Sequence, residues 1–154
     1  MRIRTSIPVA FAVAATFTAV GLGAQAATAG SSDTLRLVET FTTTFTQDVA
    51  PTGPSIGDRL LYTTVLKKQG KKVGIGIGDC ARLTGTTEAT GLYKGAETVR
   101  LPGGDVTTTG AFTFEHKLSK WAITGGTGKY RGKTGEVDFT TVSDDTFNDV
   151  LRFE

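Results

Sequence analysis

The residue whose type and spacing first suggest chemistry is Glu39. Leu37 and Phe41 flank it at two residues on either side, so the alternation of a strand turns its carboxylate toward the apolar face. An ionised carboxylate in that position is costly unless it is hydrogen-bonded, paired or neutral, and a carboxyl perturbed in a cavity is a candidate functional group. An inward glutamate near a barrel mouth, hydrated or bonded to a turn, is the structural alternative. Cys80, the lone cysteine, lies in phase with Gly74, Gly76 and Gly78 and so faces the same interior. It reads either as part of a cavity wall or as a small buried apolar residue. His116 shares a strand face with Phe112 and Phe114, and Ser119 is close in sequence, yet no G-x-S-x-G elbow exists and the histidine adjoins a lysine turn. Nucleophilic catalysis is therefore set aside. The run Gly125-Gly126-Thr127-Gly128-Lys129 resembles a phosphate loop only superficially, because Ile123 stands where its first glycine is needed and Tyr130 where Ser or Thr is needed. A tight turn between strands accounts for it. Asp144-Asp145 and the pairs Lys67-Lys68 and Lys71-Lys72 read as solvated turn charges.

The elements that must position these residues are almost all strands. Leu35, Leu37, Phe41 and Phe45 alternate with mostly polar or β-branched neighbours, which predicts a first strand with one buried face. Turn residues Pro51-Thr52-Gly53-Pro54 separate it from a strand over Arg59 to Lys68, and Gln69-Gly70 connects that to a third over Val73 to Leu83. Further strands are expected at Glu88 to Tyr93, Glu97 to Leu101, Asp105 to Phe114, Lys120 to Thr124, Glu136 to Ser143 and Thr146 to Phe153. No window of a dozen residues carries a helical apolar stripe. The choice is between a sandwich and a barrel, and the alternate glycines of the third strand favour a barrel, since they suit tight curvature or an open lumen.

Composition narrows the function classes. Of 154 residues, 17 are basic and 15 acidic. Without Arg2 and Arg4, which fall in a leader-like segment, the balance is even, which argues against a nucleic-acid partner. One cysteine excludes an internal disulfide and a Cys-rich zinc module, and one histidine excludes a site needing two imidazoles, so no metal or organic cofactor is expected. Arg2 and Arg4 precede an uncharged stretch from Thr5 to Leu22, followed by Ala24-Gln25-Ala26 and Ala27-Thr28-Ala29. That order is the one found in secretory signals, giving residues 1–29 as an export signal and 30–154 as one exported domain with no stable membrane insertion.

The stretch from Trp121 to Gly132, with its Gly125-Gly126-Thr127-Gly128 core and the following Gly135-Glu136-Val137, resembles the allene oxide cyclase barrel family and its dirigent-protein relatives. Gly57-Asp58-Arg59 before a strand, and the segment Val73 to Cys80, resemble that family's loop and its glycine- and cysteine-bearing strand. The resemblance covers about Leu35 to Phe153. It implies an all-β fold, a single antiparallel eight-stranded barrel with a mainly hydrophobic lumen, assembled as a homotrimer. It also implies a buried glutamate that steers charge development, which Glu39 matches, and a cysteine against the cavity, which Cys80 matches. Phe41 and Thr64 stand where the family's oxygen-holding asparagines would be.

What the resemblance and the residues share is containment. A shaped apolar cavity excludes water and selects one folded conformer of a reactive guest, an effect worth up to roughly 7–11 kcal/mol in favourable intramolecular reactions. The expectation is a secreted barrel that binds a small hydrophobic molecule and directs its cyclisation or stereochemistry. Glu39 and Cys80 carry the chemistry, and Phe41, Tyr62, Thr64, Phe112 and Phe114 hold the substrate. The alternative is a non-catalytic secreted binding or structural barrel, and large side chains meeting across the lumen would favour it.

Overall fold

The computed structural model describes residues 33–87 and 90–154. The export signal expected at 1–29 lies outside the described residues. Eight strands run in chain order: β1 (Asp33–Gln47), β2 (Arg59–Lys68), β3 (Lys71–Thr84), β4 (Leu92–Leu101), β5 (Gly104–Phe112), β6 (Leu118–Gly126), β7 (Gly135–Ser143) and β8 (Thr146–Phe153). Each pairs antiparallel with its sequence neighbours, and β1 pairs with β8 from Asp33 opposite Phe153 to Thr40 opposite Thr146, closing the barrel. Closure leaves no free sheet edge. The even-numbered turns of the meander gather at one end, and the connections 48–58, 113–117 and 144–145 gather at the other, with the described residues 85–87 and 90–91 between β3 and β4.

Alternation decides which side chains enter. Leu37, Glu39, Tyr62, Thr64, Leu66, Val99, Val106, Ile123, Val137 and Leu151 are buried, whereas Phe45, Ile77 and Val142 on the opposite phase are exposed. Toward the hairpin end the lumen is solid, filled by Leu37, Leu66, Leu101, Val106, Val137 and Leu151. A short 3-10 turn, Gly128–Tyr130, caps that end, where the Tyr130 ring stacks on Phe153 at 5.4 Å. This turn is the glycine run 125–129: Gly128 takes φ +56° and a Cβ there would strike the Gly103 carbonyl, so tight backbone packing explains the glycine.

Two expectations about the strands change. The separate strands at Glu88 to Tyr93 and Glu97 to Leu101 are one strand, β4, running through Gly95; Glu88 and Ala89 lie outside the described residues and Thr90 is in a turn. The bare backbone of Gly95 is what lets Cys80 pack over it. The glycines of β3 do face inward, yet they do not hold the lumen open. A Cβ at Gly78 would overlap the Tyr62 ring, and one at Gly76 would overlap the Glu97 and Thr64 side chains, so larger neighbours occupy the vacated space.

Candidate functional site

At the loop end the barrel is hollow. A cavity of about 260 Å³ opens there. Its wall carries seven aromatic side chains: Phe41 from β1, Tyr62 from β2, Phe112 from β5, Phe114 just beyond it, Trp121 from β6, Phe139 from β7 and Phe147 from β8. They brace one another at their edges. Phe41 meets Tyr62 at 4.9 Å and Phe147 at 5.5 Å between ring centres, Phe112 meets Phe114 at 5.2 Å, and Trp121 meets Phe139 at 5.3 Å, all close to perpendicular. Edge-to-face contacts of this kind set ring orientation as well as adding stability. His116, Ser119, Thr141 and Asp144 form the rim.

Carboxyl groups close the inner end. Glu39 and Glu97 reach the cavity, and Asp149 stands against Glu39 from behind; all three are nearly inaccessible to solvent. Asp149 lies opposite Leu37 on the neighbouring strand, one inward step from Glu39. Glu97 comes from β4, and the missing side chain at Gly76 is what lets its Oε1 and that of Glu39 converge with the Thr64 hydroxyl over one point of β3. Thr64 itself accepts the Gly76 N–H at 3.0 Å.

Electrostatics follow from this crowding. Burial, and then repulsion from the Glu39 carboxylate, push Glu97 well above the usual carboxylate range, and the same two causes raise Asp149 to about 10. Glu39 Oε1, Glu97 Oε1 and Asp149 Oδ1 have no N–H or hydroxyl donor from the protein. The bonds available to them are carboxyl to carboxyl, with the protons of Glu97 and Asp149 donated to Glu39. Burial and the nearby Glu97 likewise raise Tyr62 and push the Cys80 thiol up to about 12.

Of the residues expected at the site, Glu39, Phe41, Tyr62, Phe112 and Phe114 line the cavity. Thr64 lies beneath it, bonded to the β3 backbone. Cys80 is fully buried behind Tyr62 and off the cavity wall, because Gly95 opens room for its sulfur on the far side of that ring. Glu97, Asp149, Trp121, Phe139 and Phe147 were not anticipated. The signal that marks Glu39 marks the two acids as well: Glu97 is in phase with Val99 and Leu101, and Asp149 with Leu151 and Phe153. Among the described residues no group of three His, Cys, Asp or Glu side chains is arranged to hold a metal ion.

Residues 38–151 match the allene oxide cyclase barrel-like domain. The chain belongs to that family. Solved structures share the fold. A pyocyanin demethylase superposes with a TM-score of 0.70 at 24% identity, over 79% of this chain and 100% of its own. The pterocarpan synthase dirigent protein PsPTS1 gives 0.63 at 18%, over 79% and 94%. AbnU, an exo-specific intermolecular Diels-Alderase, gives 0.61 at 18%, over 80% and 98%. No curated protein matches the sequence. Structures of this fold thus include a Diels-Alderase, a dirigent protein and a demethylase, and this chain shares their barrel.

Proposed function

We propose that the protein takes a small, mainly hydrophobic molecule into the aromatic cavity and directs its cyclisation or stereochemistry. One observation carries the reading: the barrel is hollow only where aromatic walls lead down to Glu39 and Glu97. Large side chains do not meet across that half of the lumen, which favours a guest over a self-filled scaffold. The rings press a flexible guest into one conformer and exclude water from it. An oxygen or nitrogen of the guest takes the Glu97 O–H in place of Glu39, and Glu39, so released, faces positive charge as it develops. Thr64 and Cys80 act from outside the wall: Thr64 holds the β3 backbone, and Cys80, a thiol kept neutral by burial, supports Tyr62.

Export and assembly belong to the same proposal. The order of charged, apolar and small residues in 1–29 supports secretion. A homotrimer is supported by the outer face of β1 to β4, where Phe45 and Ile77 are exposed beside Leu61 and Ala96.

The deciding experiment is native mass spectrometry of protein from its producing cells, compared with Glu39→Gln. Retention of a small molecule by the parent and at least ten-fold weaker retention or turnover by the variant, with an unchanged far-ultraviolet spectrum, is the expected result. Equal retention and turnover by Glu39→Gln would reduce Glu39 to a structural carboxyl.

A further inference from the structure

The cavity has a chemical sign as well as a shape. Its floor is supplied by Glu39 and Glu97, with Asp149 touching Glu39 from below, and among the described residues the only basic side chain on its wall is His116 at the exposed rim. Seven aromatic side chains surround that floor, and rings of this type attract cations through their faces. Two further wall groups are buried without a partner: the Trp121 indole N–H, on a side chain 4% exposed, and the Thr113 hydroxyl. Neither belongs to the acidic cluster, and an orphaned buried donor on a cavity wall points to an acceptor brought by a guest. A carboxylate-bearing guest would add like charge to a buried acidic floor with no counter-ion, an arrangement that desolvation makes costly. A positively charged N–H group would instead meet carboxyl oxygens that no protein N–H or hydroxyl reaches.

We infer that the cavity selects a flat, nitrogen-bearing aromatic base held as its cation, over neutral or carboxylate-bearing molecules of the same outline. The inference rests on the reading of this cavity as a small-molecule site, and it narrows the guest to one class. The cation seats its N–H edge on Glu97 and Glu39, its ring lies among Phe41, Phe112 and Trp121, and an acceptor on the ring takes the indole N–H.

Three fluorescent probes of one three-ring outline test this on the full-length protein at neutral pH. They are 9-aminoacridine as the cation, 9-anthracenemethanol as the neutral form and anthracene-9-carboxylate as the anion. The expected result is that 9-aminoacridine binds at least ten-fold more tightly than 9-anthracenemethanol, with the carboxylate weakest. Glu39→Gln, which removes the acid that Glu97 and Asp149 both converge on, should bring the first two within about three-fold of each other. If that variant does not fold, Glu39→Ala gives the same comparison. Ser119→Trp, which fills the cavity from the rim, should abolish binding of every probe. Equal or tighter binding of the neutral or anionic probe, lost in Ser119→Trp, would overturn the charge preference and leave the cavity as a site. Binding of 9-aminoacridine that survives Ser119→Trp would place it outside the cavity and overturn the inference, as would no binding by any probe.

Discussion

At the residue scale the decisive pair is Glu97 and Asp149, whose burial beside Glu39 favours the protonated form of each. Glu97 and Asp149 are driven up by burial and by Glu39, Asp149 to about 10, so each binds its proton more tightly in the folded than in the unfolded chain. Below the ordinary carboxylate range both states are protonated and the contribution to stability is full. As pH rises the unfolded chain ionises first, so that stability is lost progressively up to the folded values. Urea midpoints should therefore fall from pH 5 to pH 8 more steeply in the parent than in Asp149→Asn. That variant should gain about 1–3 kcal/mol over the parent at pH 8. A parallel pH dependence in the two would mean that Asp149 does not hold a proton. Glycine is the other residue-scale device: Gly78→Ala should cost about 2–4 kcal/mol in denaturant unfolding, because its methyl group falls within the Tyr62 ring. Glu39 was legible in the sequence because a charge interrupting an apolar face stands out against period two. The proton states were not, since they depend on three strands converging.

At the element scale, two loops at the mouth hang on one buried pair. The Asp58 carboxylate accepts the Ser55 N–H at 2.7 Å and the Val49 N–H at 3.0 Å, folding the β1–β2 loop, and these bonds hold it below the usual carboxylate range. Arg82 faces Asp58 at 3.8 Å, donates to the Thr87 carbonyl of the β3–β4 loop at 2.8 Å, and also donates to the Tyr93 hydroxyl. Tyr93 in turn stacks on Phe112 at 5.3 Å, so the pair reaches the cavity wall. Arg82→Met should lower the denaturation midpoint, since it removes the charge facing Asp58 and the donors to Thr87 and Tyr93, and should weaken guest binding through Phe112. Chemical denaturation and probe titration check both; a stable variant with unchanged affinity would make the pair ornamental. The Gly57-Asp58-Arg59 motif marks this loop in the sequence. Its partner Arg82 carries no such mark, because nothing local says that β3 takes it inside.

At the scale of the molecule, the barrel divides into a solid half and a hollow half, and the division sets where function can reside. Outside, the faces differ too. Lys120, Glu136, Asp138 and Arg152 form an ion-pair network across β6 to β8, whereas β2 and β3 present Leu61 and Ile77. Burial of the apolar face between copies is expected, so Phe45→Lys combined with Ile77→Lys should convert the assembly to monomers in sedimentation velocity. An already monomeric parent would remove the trimer from the proposal.

Strand alternation, turn residues and the glycine pattern are local properties, so the sequence by itself determined an all-β chain, the inward phase of Glu39, Tyr62 and Cys80, and the family. Occupancy of the interior is not local. Whether a missing Cβ becomes empty space or room for a neighbour depends on which strands lie alongside: the register of β2 on β3 brought Gly78 under Tyr62, and closure of β1 against β8 brought Asp149 against Glu39. Tertiary structure likewise took Cys80 off the wall and put Trp121, Phe139 and Phe147 on it, because a cavity is bounded by residues far apart in the chain and near in space.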